Sequence, residues 1–320
     1  MRPTQALAAC ALALASGAAL AQAYPSRPIK FLVPFRPGSG TDIIARTVGE
    51  AMSKNIQQPV VVENKPGAGG TIAAAQVARA EPDGYTVLIH SSGHALNPAI
   101  YPNLPYDTLR DLIGVTPLAA MPNVLVVSPT RGWKSVGDLV AAAKAKPGQL
   151  NYASAGIGSA THMNAEKFRL QAGIEAQHVP FKGTPEAISD VIGGRNDWFF
   201  APLSSALPLV REGKLQALAV STPGRASVLP AVPTTVEAGV PGSDYIFWVA
   251  MIVSSATPPP VVQRLHDEAL KVLADPDVKE RLAKLGAEPF PLAQDAFNAF
   301  IRTEVEAAAK IARAANLKGQ

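Results

Sequence analysis

The stretch PFRPGSGTDIIAR, residues 34–46, lies between an apolar run and a helical pattern. The run before it, Ile29 to Val33, is short and bounded by prolines, which predicts a buried strand. After it, apolar residues recur at helical spacing from Ile43 to Met52. The stretch is therefore predicted to be a turn that joins a strand to the N-terminus of a helix. Backbone N–H groups are unpaired at such a turn, and they can bind an anion.

Strand and helix patterns keep alternating along the rest of the chain. This alternation predicts an α/β fold of right-handed βαβ units with parallel strands. Ligands of such sheets bind beyond the carboxyl ends of the strands. The stretch 97–122 is rich in proline and predicts irregular structure, with a short helix near residues 109–113. Strands are predicted at residues 59–63, 85–90, 123–128, 150–153, 177–180, 197–200, 215–220 and 245–253.

The chain is long enough for two cores, since it has 320 residues. The second set of alternating elements predicts a second domain. Three helices end the sequence without a sheet of their own, so they are expected to pack on the first domain. Residues 24–124 and 246–320 are therefore predicted to form a discontinuous domain I, and residues 125–245 to form domain II.

Four further motifs follow the first one in a fixed order along the chain. With it, they resemble the Bug/TctC family of extracytoplasmic solute receptors of tripartite tricarboxylate transporters. The resemblance covers essentially all of the chain after residue 24. It implies a two-lobed periplasmic-binding-protein clamshell of type II-like architecture, with the ligand in a cleft between the lobes. The motifs are VVENKPGAGGT (61–71), PDGYT (82–86), YASAGIGS (152–159) and PFKG (180–183).

Two glycine- and serine-rich turns are the main candidates for ligand binding. The second turn, SAGIGSATH (154–162), follows a strand and opens a helix as the first one does. Opposed helix N-termini across a cleft suit a carboxylate. Carried over by position, the resemblance implies ligand contacts from the first turn, from the end of the third strand and from the second turn. These residues are Phe35, Gly38, Ser39, Gly40, Thr41, Ser91, Ser92, Ser154, Gly158 and Ser159.

Five more side chains are candidates for contact with the ligand. Arg36 could bind a ligand carboxylate through its guanidinium or could stay in solvent. Lys182 could line the cleft or point outward. Asp197 stands where the family often has an acid, close to a ligand amino group or a water. Phe200 and Trp248 could form apolar walls of the cleft. Nearby Asp42 and Arg46, four residues apart, are predicted to be a surface helical pair.

The first 23 residues have the pattern of a signal peptide. A single arginine precedes an apolar stretch, and Ala21-Gln22-Ala23 is an A-x-A cleavage site. A lipoprotein box around Cys10 is an alternative, but too few residues precede it for an apolar core. Cys10 is the only cysteine, so the mature chain is expected to have no thiol. No apolar run long enough to span a bilayer follows, and a soluble periplasmic product is expected.

Composition and spacing argue against several other functions. The formal charge is +4, but the positive residues are scattered, which argues against nucleic acid as a partner. His90 and His94 lie in a strand-to-loop stretch without neighbouring carboxylates, so no metal is predicted. There is no G-x-S-x-G elbow of a serine hydrolase. The glycines do not form G-x-G-x-x-G either, so no nucleotide cofactor is predicted.

The predicted function is ligand binding without catalysis. The chain is predicted to bind a small organic acid, a di- or tricarboxylate or an aromatic acid, and to deliver it to a membrane permease. It is expected to be a monomer, to need no cofactor and to have no catalytic residue. A periplasmic enzyme acting on a carboxylated substrate is the alternative, with His94 or His162 as its base. A ligand sensor for a signalling system is a further one.

Overall fold

The computed structural model describes residues 24–317, and the predicted signal peptide lies outside them. The strands, in chain order, form two separate sheets. They are β1 (Ile29–Val33), β2 (Val60–Asn64), β3 (Thr86–Ser91), β4 (Leu112–Met121), β5 (Asn123–Val127), β6 (Asn151–Ser154), β7 (Gln177–Pro180), β8 (Trp198–Pro202), β9 (Gln216–Val220), β10 (Phe247–Ser254) and β11 (Glu288–Pro289).

The helices lie between and beyond these strands. Several begin directly after a strand, at its carboxyl end. They are α1 (Gly40–Ile56), α2 (Thr71–Ala78), α3 (Asn97–Ile100), α4 (Val136–Ala145), α5 (Ala160–Ala172), α6 (Thr184–Ile192), α7 (Leu203–Arg211), α8 (Pro259–Ala274), α9 (Pro276–Lys284) and α10 (Gln294–Ala314).

Each sheet is the centre of one lobe of a mixed α/β fold. Lobe I has the strand order β11-β4-β10-β3-β1-β2, and lobe II has the order β7-β6-β8-β5-β9. The chain passes from lobe I to lobe II between β4 and β5, and it returns between β9 and β10. Strands β6 and β8 are parallel, and so are β1 and β3. Helices α5 and α7, which follow β6 and β8, and helix α1, which follows β1, begin on the sides where the lobes meet.

Both sheets are mixed, whereas the alternating pattern predicts parallel ones. In lobe I, β10 is antiparallel to β3 and to β4. In lobe II, β5 is antiparallel to β8 and to β9. The antiparallel strands are those next to the crossings, because a strand that enters from the other lobe has no crossover helix to set its direction.

The prediction of irregular structure over residues 97–122 is wrong for its second half. β4 occupies residues 112–121 and pairs along its length with β10. Its proline, Pro117, lies between two register shifts in that pairing. A bulge is the place where a strand tolerates a residue without an N–H group. The short β11, which pairs with β4, has no signal of its own in the sequence.

The lobe cores are apolar and continuous with their sheets. In lobe I, Phe31 of β1 packs with Val48 and Met52 of α1, and all three are fully buried. In lobe II, Trp198 and Phe200 of β8 pack against Phe168 of α5. Among residues 24–317, no helix has the length and apolar character that crossing a membrane requires.

Candidate anion-binding cleft between the lobes

The turn between β1 and α1 is held by its own side chains. Ser39 caps α1, accepting a hydrogen bond from the backbone N–H of Asp42. Gly38 has φ of +81°, a conformation that glycine adopts without a steric penalty. The turn therefore presents Ser39, Gly40 and Thr41 at the start of a helix of 17 residues. Unpaired N–H groups and the positive end of the helix dipole coincide there.

Asp42 determines the shape of this turn. Its carboxylate accepts hydrogen bonds from the backbone N–H of Gly38 at 2.9 Å and from Nδ2 of Asn64 at 2.8 Å. Arg46, four residues on, forms an ion pair with it at 3.0 Å. The predicted pair of Asp42 and Arg46 is present, but the Asp42 side chain is buried rather than on the surface. The carboxylate thus supports the turn from behind.

The second turn, between β6 and α5, is built in the same way. Ser159 caps α5 by accepting from the backbone N–H of His162 at 3.3 Å. Thr161 Oγ1 accepts from the backbone N–H of Ala155 at 2.9 Å. Gly156 and Gly158 have φ of +128° and +79°. The turn presents Ser159, Ala160 and Thr161 towards lobe I.

The two turns face each other across one small cavity. Its volume is about 10 Å³, and no charged side chain lines it. The starts of four helices, α1, α5, α6 and α7, meet at this cavity. The Oγ of Ser91 is buried there and has no hydrogen-bond partner among the described residues. The lining residues are Phe35, Ser39, Gly40, Thr41, Ser91, Ala155, Ser159, Ala160, Thr161, Thr184, Pro202 and Phe247.

A larger pocket of about 270 Å³ adjoins this cavity. Phe35 and Ala155 line both spaces. Its other walls are largely apolar and come from both lobes, with Tyr101 from lobe I and Phe181 from lobe II. Lys182 also lines it, and no ion pair joins Lys182 to another described residue. An acid held between the helix N-termini could extend its hydrocarbon part into this pocket.

The lobes touch at several points around the cleft. Tyr101 donates its hydroxyl to the carbonyl of Ile157 at 2.9 Å. The hydroxyl of Ser205 donates to the carbonyl of Gly38 at 3.1 Å. Arg36 forms an ion pair with Glu186 at the start of α6, with Nε and Oε1 2.5 Å apart. Neither sequence-based alternative for Arg36 included this pairing, since a partner on the other lobe has no signal in the sequence.

Three buried histidines and one half-buried histidine, His178, lie behind the two turns. Burial lowers the pKa of His94 to about 4 and the pKa of His90 well below its usual range. In lobe II, burial lowers the pKa of His162 to about 4 and the pKa of His178 to about 3. All four imidazoles are therefore neutral at pH 7. Within residues 24–317, no group of three or more His, Cys, Asp or Glu side chains could hold a metal ion.

Three predicted site residues lie away from the cavity. Asp197 stands at the start of β8, at the end of the sheet opposite to the cleft, where it pairs with Arg131 at 2.7 Å. Phe200 points into the lobe II core. Trp248 is fully buried in lobe I, and its Nε1 donates to Glu304 at 3.1 Å. The sequence-based placement of these side chains at the cleft is corrected accordingly.

Other predicted residues lie close to the cavity without lining it. Gly38 and Gly158 shape the two turns. Ser154 is fully buried beneath the second turn, where its hydroxyl accepts from the backbone N–H of Gly156 at 3.0 Å. Ser92 turns away and shares a hydrogen bond of 2.8 Å with the hydroxyl of Tyr245.

The sequence-based site omits several residues that line the cavity. Thr184 is the first residue of α6, which follows β7, and Pro202 is the N-cap of α7, which follows β8. A signal was available, because each residue closely follows the carboxyl end of a predicted strand, 177–180 or 197–200. Ala155, Ala160, Thr161 and Phe247 had no distinctive chemistry to mark them.

Comparison with known proteins places the chain in a family. The family model described as "Tripartite tricarboxylate transporter family receptor", TctC, matches residues 44–317. The chain belongs to this family. It is 38% identical over 304 residues to a Pseudomonas sp. (strain P51) protein from the tcbD-tcbE intergenic region, covering 94% of this chain and 90% of that one. It is 35% identical over 300 residues to BugT of Bordetella pertussis, covering 93% and 92%.

Solved structures of family members have the same two-lobed fold. The periplasmic binding protein BugD matches with a TM-score of 0.88 and 32% identity, over 93% of this chain and all of that one. A protein of R. palustris with adipate matches with a TM-score of 0.89 and 32% identity, over 92% and 99%. MatC of Rhodopseudomonas palustris, with bound malate, matches with a TM-score of 0.85 and 32% identity, over 90% and 99%.

Proposed function

We propose that the protein is a periplasmic solute-binding receptor that captures a small organic acid between its lobes. It delivers the acid to the permease of a tripartite tricarboxylate transporter. The ligand is a di- or tricarboxylate or an aromatic acid, and two neighbours of this fold are described with adipate and with malate. The residues that bind the carboxylate are proposed to be Ser39, Gly40, Thr41, Ser91, Ser159, Thr161 and Thr184.

One observation supports this proposal most strongly: the N-termini of four helices meet at one cavity without a charged side chain. Each N-terminus offers unpaired N–H groups and a positive dipole end. Hydroxyls of Ser39, Ser159 and Thr161 already make hydrogen bonds within the turns. Backbone N–H groups and the hydroxyls of Thr41, Ser91 and Thr184 are left to hold a carboxylate. An anion is the ligand that such a cavity stabilises.

The adjoining pocket supports a ligand with a body as well as a carboxylate. Its apolar walls suit a hydrocarbon chain or a ring, and Lys182 stands at its edge. We propose that a second acidic group of the ligand, where there is one, approaches this ammonium. Contacts from both lobes mean that binding is coupled to their closure.

A catalytic role has no support from the side chains at the cleft. Ser154 and His178 resemble a nucleophile and its base, since Oγ and Nε2 lie 2.6 Å apart. However, Ser154 is fully buried, and the His178 ring stacks with Tyr152 and with His162, with centroids 4.9 and 4.0 Å away. A substrate carbonyl has no access to that hydroxyl. We propose binding without turnover.

The remaining predictions belong to the same proposal. The signal peptide is cleaved after Ala23, and the mature protein is a periplasmic monomer. Domain I comprises residues 24–124 and 246–320, and domain II comprises residues 125–245. The membership of the strands in two sheets supports this division.

Thermal unfolding in the presence of acids and their neutral analogues tests the proposal. Adipate, malate, citrate and benzoate are compared with adipamide and benzamide. A ligand that binds the folded state raises Tm by mass action, so at least one carboxylate should raise Tm in a concentration-dependent way and its amide should not. Mass spectrometry should recover the bound acid unchanged. Stabilisation by the amides alone, or a chemically altered acid, would contradict the proposal.

A further inference from the structure

A second pocket of about 200 Å³ lies on the far side of the segment Ser92–Ala95 from the anion cavity. Both lobes contribute to it. Lys167 comes from α5 in lobe II, whereas Trp248 of β10 and Glu304 of α10 come from lobe I. Asp244 and Tyr245, on the chain segment that returns to lobe I, complete one wall.

Among the polar groups of this pocket, the Glu304 carboxylate has the most unused hydrogen-bonding capacity. Its carboxylate accepts a hydrogen bond from Nε1 of Trp248 at 3.1 Å. No ion pair joins it to another described residue, although a carboxylate can accept about four hydrogen bonds. Burial raises the pKa of Glu304 above its ordinary value, and the indole N–H and the charge of Lys167 oppose this rise. A positively charged group in the pocket would compensate the half-buried carboxylate.

The nearby lysine does not supply that charge directly. Lys167 donates a hydrogen bond to the carbonyl of Asp244, and its Nζ lies 3.7 Å from the Asp244 carboxylate. These two charges offset one another. With Glu304 ionised, the lining therefore has a net charge of −1, opposite to the potential of the anion cavity.

The remaining walls suit the body of an organic cation. Tyr245 and Phe300 place two aromatic side chains at the pocket, with the fully buried ring of Trp248 behind its wall, and a cation is stabilised near aromatic rings. The hydroxyls of Ser92 and Tyr245 share one hydrogen bond at 2.8 Å. Both hydroxyl oxygens retain lone pairs that can accept a hydrogen bond from an ammonium.

We propose that this pocket is a second binding site, separate from the anion cavity, for a small primary ammonium with an apolar or aromatic body. The ammonium lies against Glu304 and the hydroxyls, and the body lies against the rings of Tyr245 and Phe300. This assignment does not depend on the proposed carboxylate site, because the two pockets share no lining residue.

The indole N–H of Trp248 reports directly on the site, since it donates to Glu304. Protein labelled with ¹⁵N is titrated with benzylammonium, and with benzyl alcohol as the neutral analogue. The Trp248 indole signal, identified from its loss in Trp248→Phe, should shift and saturate with benzylammonium only. The signals of Trp133 and Trp198, which lie outside the pocket, should stay in place. No saturable shift, or equal shifts with the alcohol, would overturn the proposal.

Matched variants test the role of the charge. Glu304→Gln keeps a hydrogen-bond acceptor but removes the charge, so benzylammonium should bind at least roughly tenfold more weakly. Glu306→Gln, on an exposed position of the same helix, should bind as the unsubstituted protein does. Unchanged affinity in Glu304→Gln would refute the site.

Two further variants keep the test decisive if Glu304→Gln is poorly folded. Lys167→Met removes the nearest positive charge, so it should tighten benzylammonium binding, and weaker or equal binding would count against the proposal. Ser39→Ala alters the proposed carboxylate site and the cap of α1, a helix that contributes no residue to this pocket. It should leave the titration unchanged, which separates a failure of this site from a failure of the anion cleft.

Discussion

Gly40 lies at a close contact between the two lobes. A Cβ on this residue would be 2.6 Å from the Cβ of Pro202 on the other lobe, a distance that forces something to move. Gly40→Ala should therefore hold the lobes apart and weaken acid binding roughly tenfold or more, which is at least about 1.4 kcal/mol. The free energy of unfolding without ligand should change by less than about 1 kcal/mol, because alanine favours a helix. Calorimetry and urea unfolding measure the two effects.

Gly137→Ala is the matched control for this substitution. Its Cβ would meet only Oγ of Ser135, at an ordinary 3.5 Å, inside a helix remote from the cleft. Ligand affinity should be unchanged in this variant. If Gly40→Ala also binds the acid with full affinity, the closed contact between Gly40 and Pro202 does not accompany binding.

Arg36 and Glu186 join the lobes through an ion pair that is partly exposed. Such pairs contribute about 0.2–1 kcal/mol and weaken with salt. In a double-mutant cycle of Arg36→Gln and Glu186→Gln, acid affinity should show a coupling of that size. Arg36→Gln should therefore cost little once Glu186 is already replaced. An equal loss of affinity in both backgrounds would mean that the guanidinium binds the ligand itself.

At the residue scale, the sequence predicts helix caps better than it predicts the direction in which a strand side chain points. Ser39 and Ser159 were identifiable as caps because a cap depends on residues within one turn of helix. Phe200 and Trp248 were misplaced because a strand sends alternate side chains to opposite faces, and the sequence alone does not reveal which face meets the cleft. Asp197 was misplaced because it begins its strand, whereas ligands meet the carboxyl end.

At the scale of elements, two helix caps offer a controlled comparison. Ser159 caps α5 at the cleft, and Ser135 caps α4 away from it, with a complete capping box. Replacing either serine by alanine should lower the free energy of unfolding by about 1 kcal/mol. Only Ser159→Ala should also weaken acid binding, because α5 begins at the anion cavity. Urea unfolding and calorimetry on both variants measure this.

Two results would contradict this prediction for Ser159→Ala. If Ser135→Ala and Ser159→Ala weaken acid binding equally, the effect comes from stability and not from the cleft. If neither does, the N-terminus of α5 does not hold the ligand.

Most elements were predictable because their signals are local. The strand at residues 29–33 and the helix start after Ser135 follow from apolar spacing and capping alone. β4 was not predictable, because Pro117 reads as a break, and only the partner strands on both sides create the bulges that accept it. The antiparallel strands were missed for a similar reason, since their direction is set by where the chain crosses between lobes.

At the scale of the whole molecule, the buried histidines predict how stability depends on pH. His90, His94, His162 and His178 all have pKa values lowered by burial, to about 4 for His94 and His162 and to about 3 for His178. In the unfolded chain a histidine has a pKa near 6.5. Below pH 6.5 the unfolded state therefore binds protons that the folded state does not.

The sign of the effect follows from this difference in bound protons. The free energy of unfolding should be highest above pH 6.5 and should fall as the pH drops from 6.5 towards 4. Each fully neutral histidine lowers it by roughly 1.4 kcal/mol per pH unit in that window. Carboxylates titrate mostly below about pH 4.5, so the histidines dominate the range from pH 6.5 to 5. Glu304, whose pKa is raised by burial, acts in the opposite direction. Urea unfolding at pH 7.5, 6.5, 6 and 5 gives the slope.

One variant separates the histidines from any other cause of acid sensitivity. His94→Gln replaces one buried imidazole by a neutral amide, so the slope between pH 6.5 and 5 should decrease by up to one proton. The absolute stability of the variant at pH 7.5 does not enter this comparison, because only the slope counts protons. A flat stability between pH 7.5 and 5 in the unsubstituted protein would show that the imidazoles behind the two turns are accessible to protons.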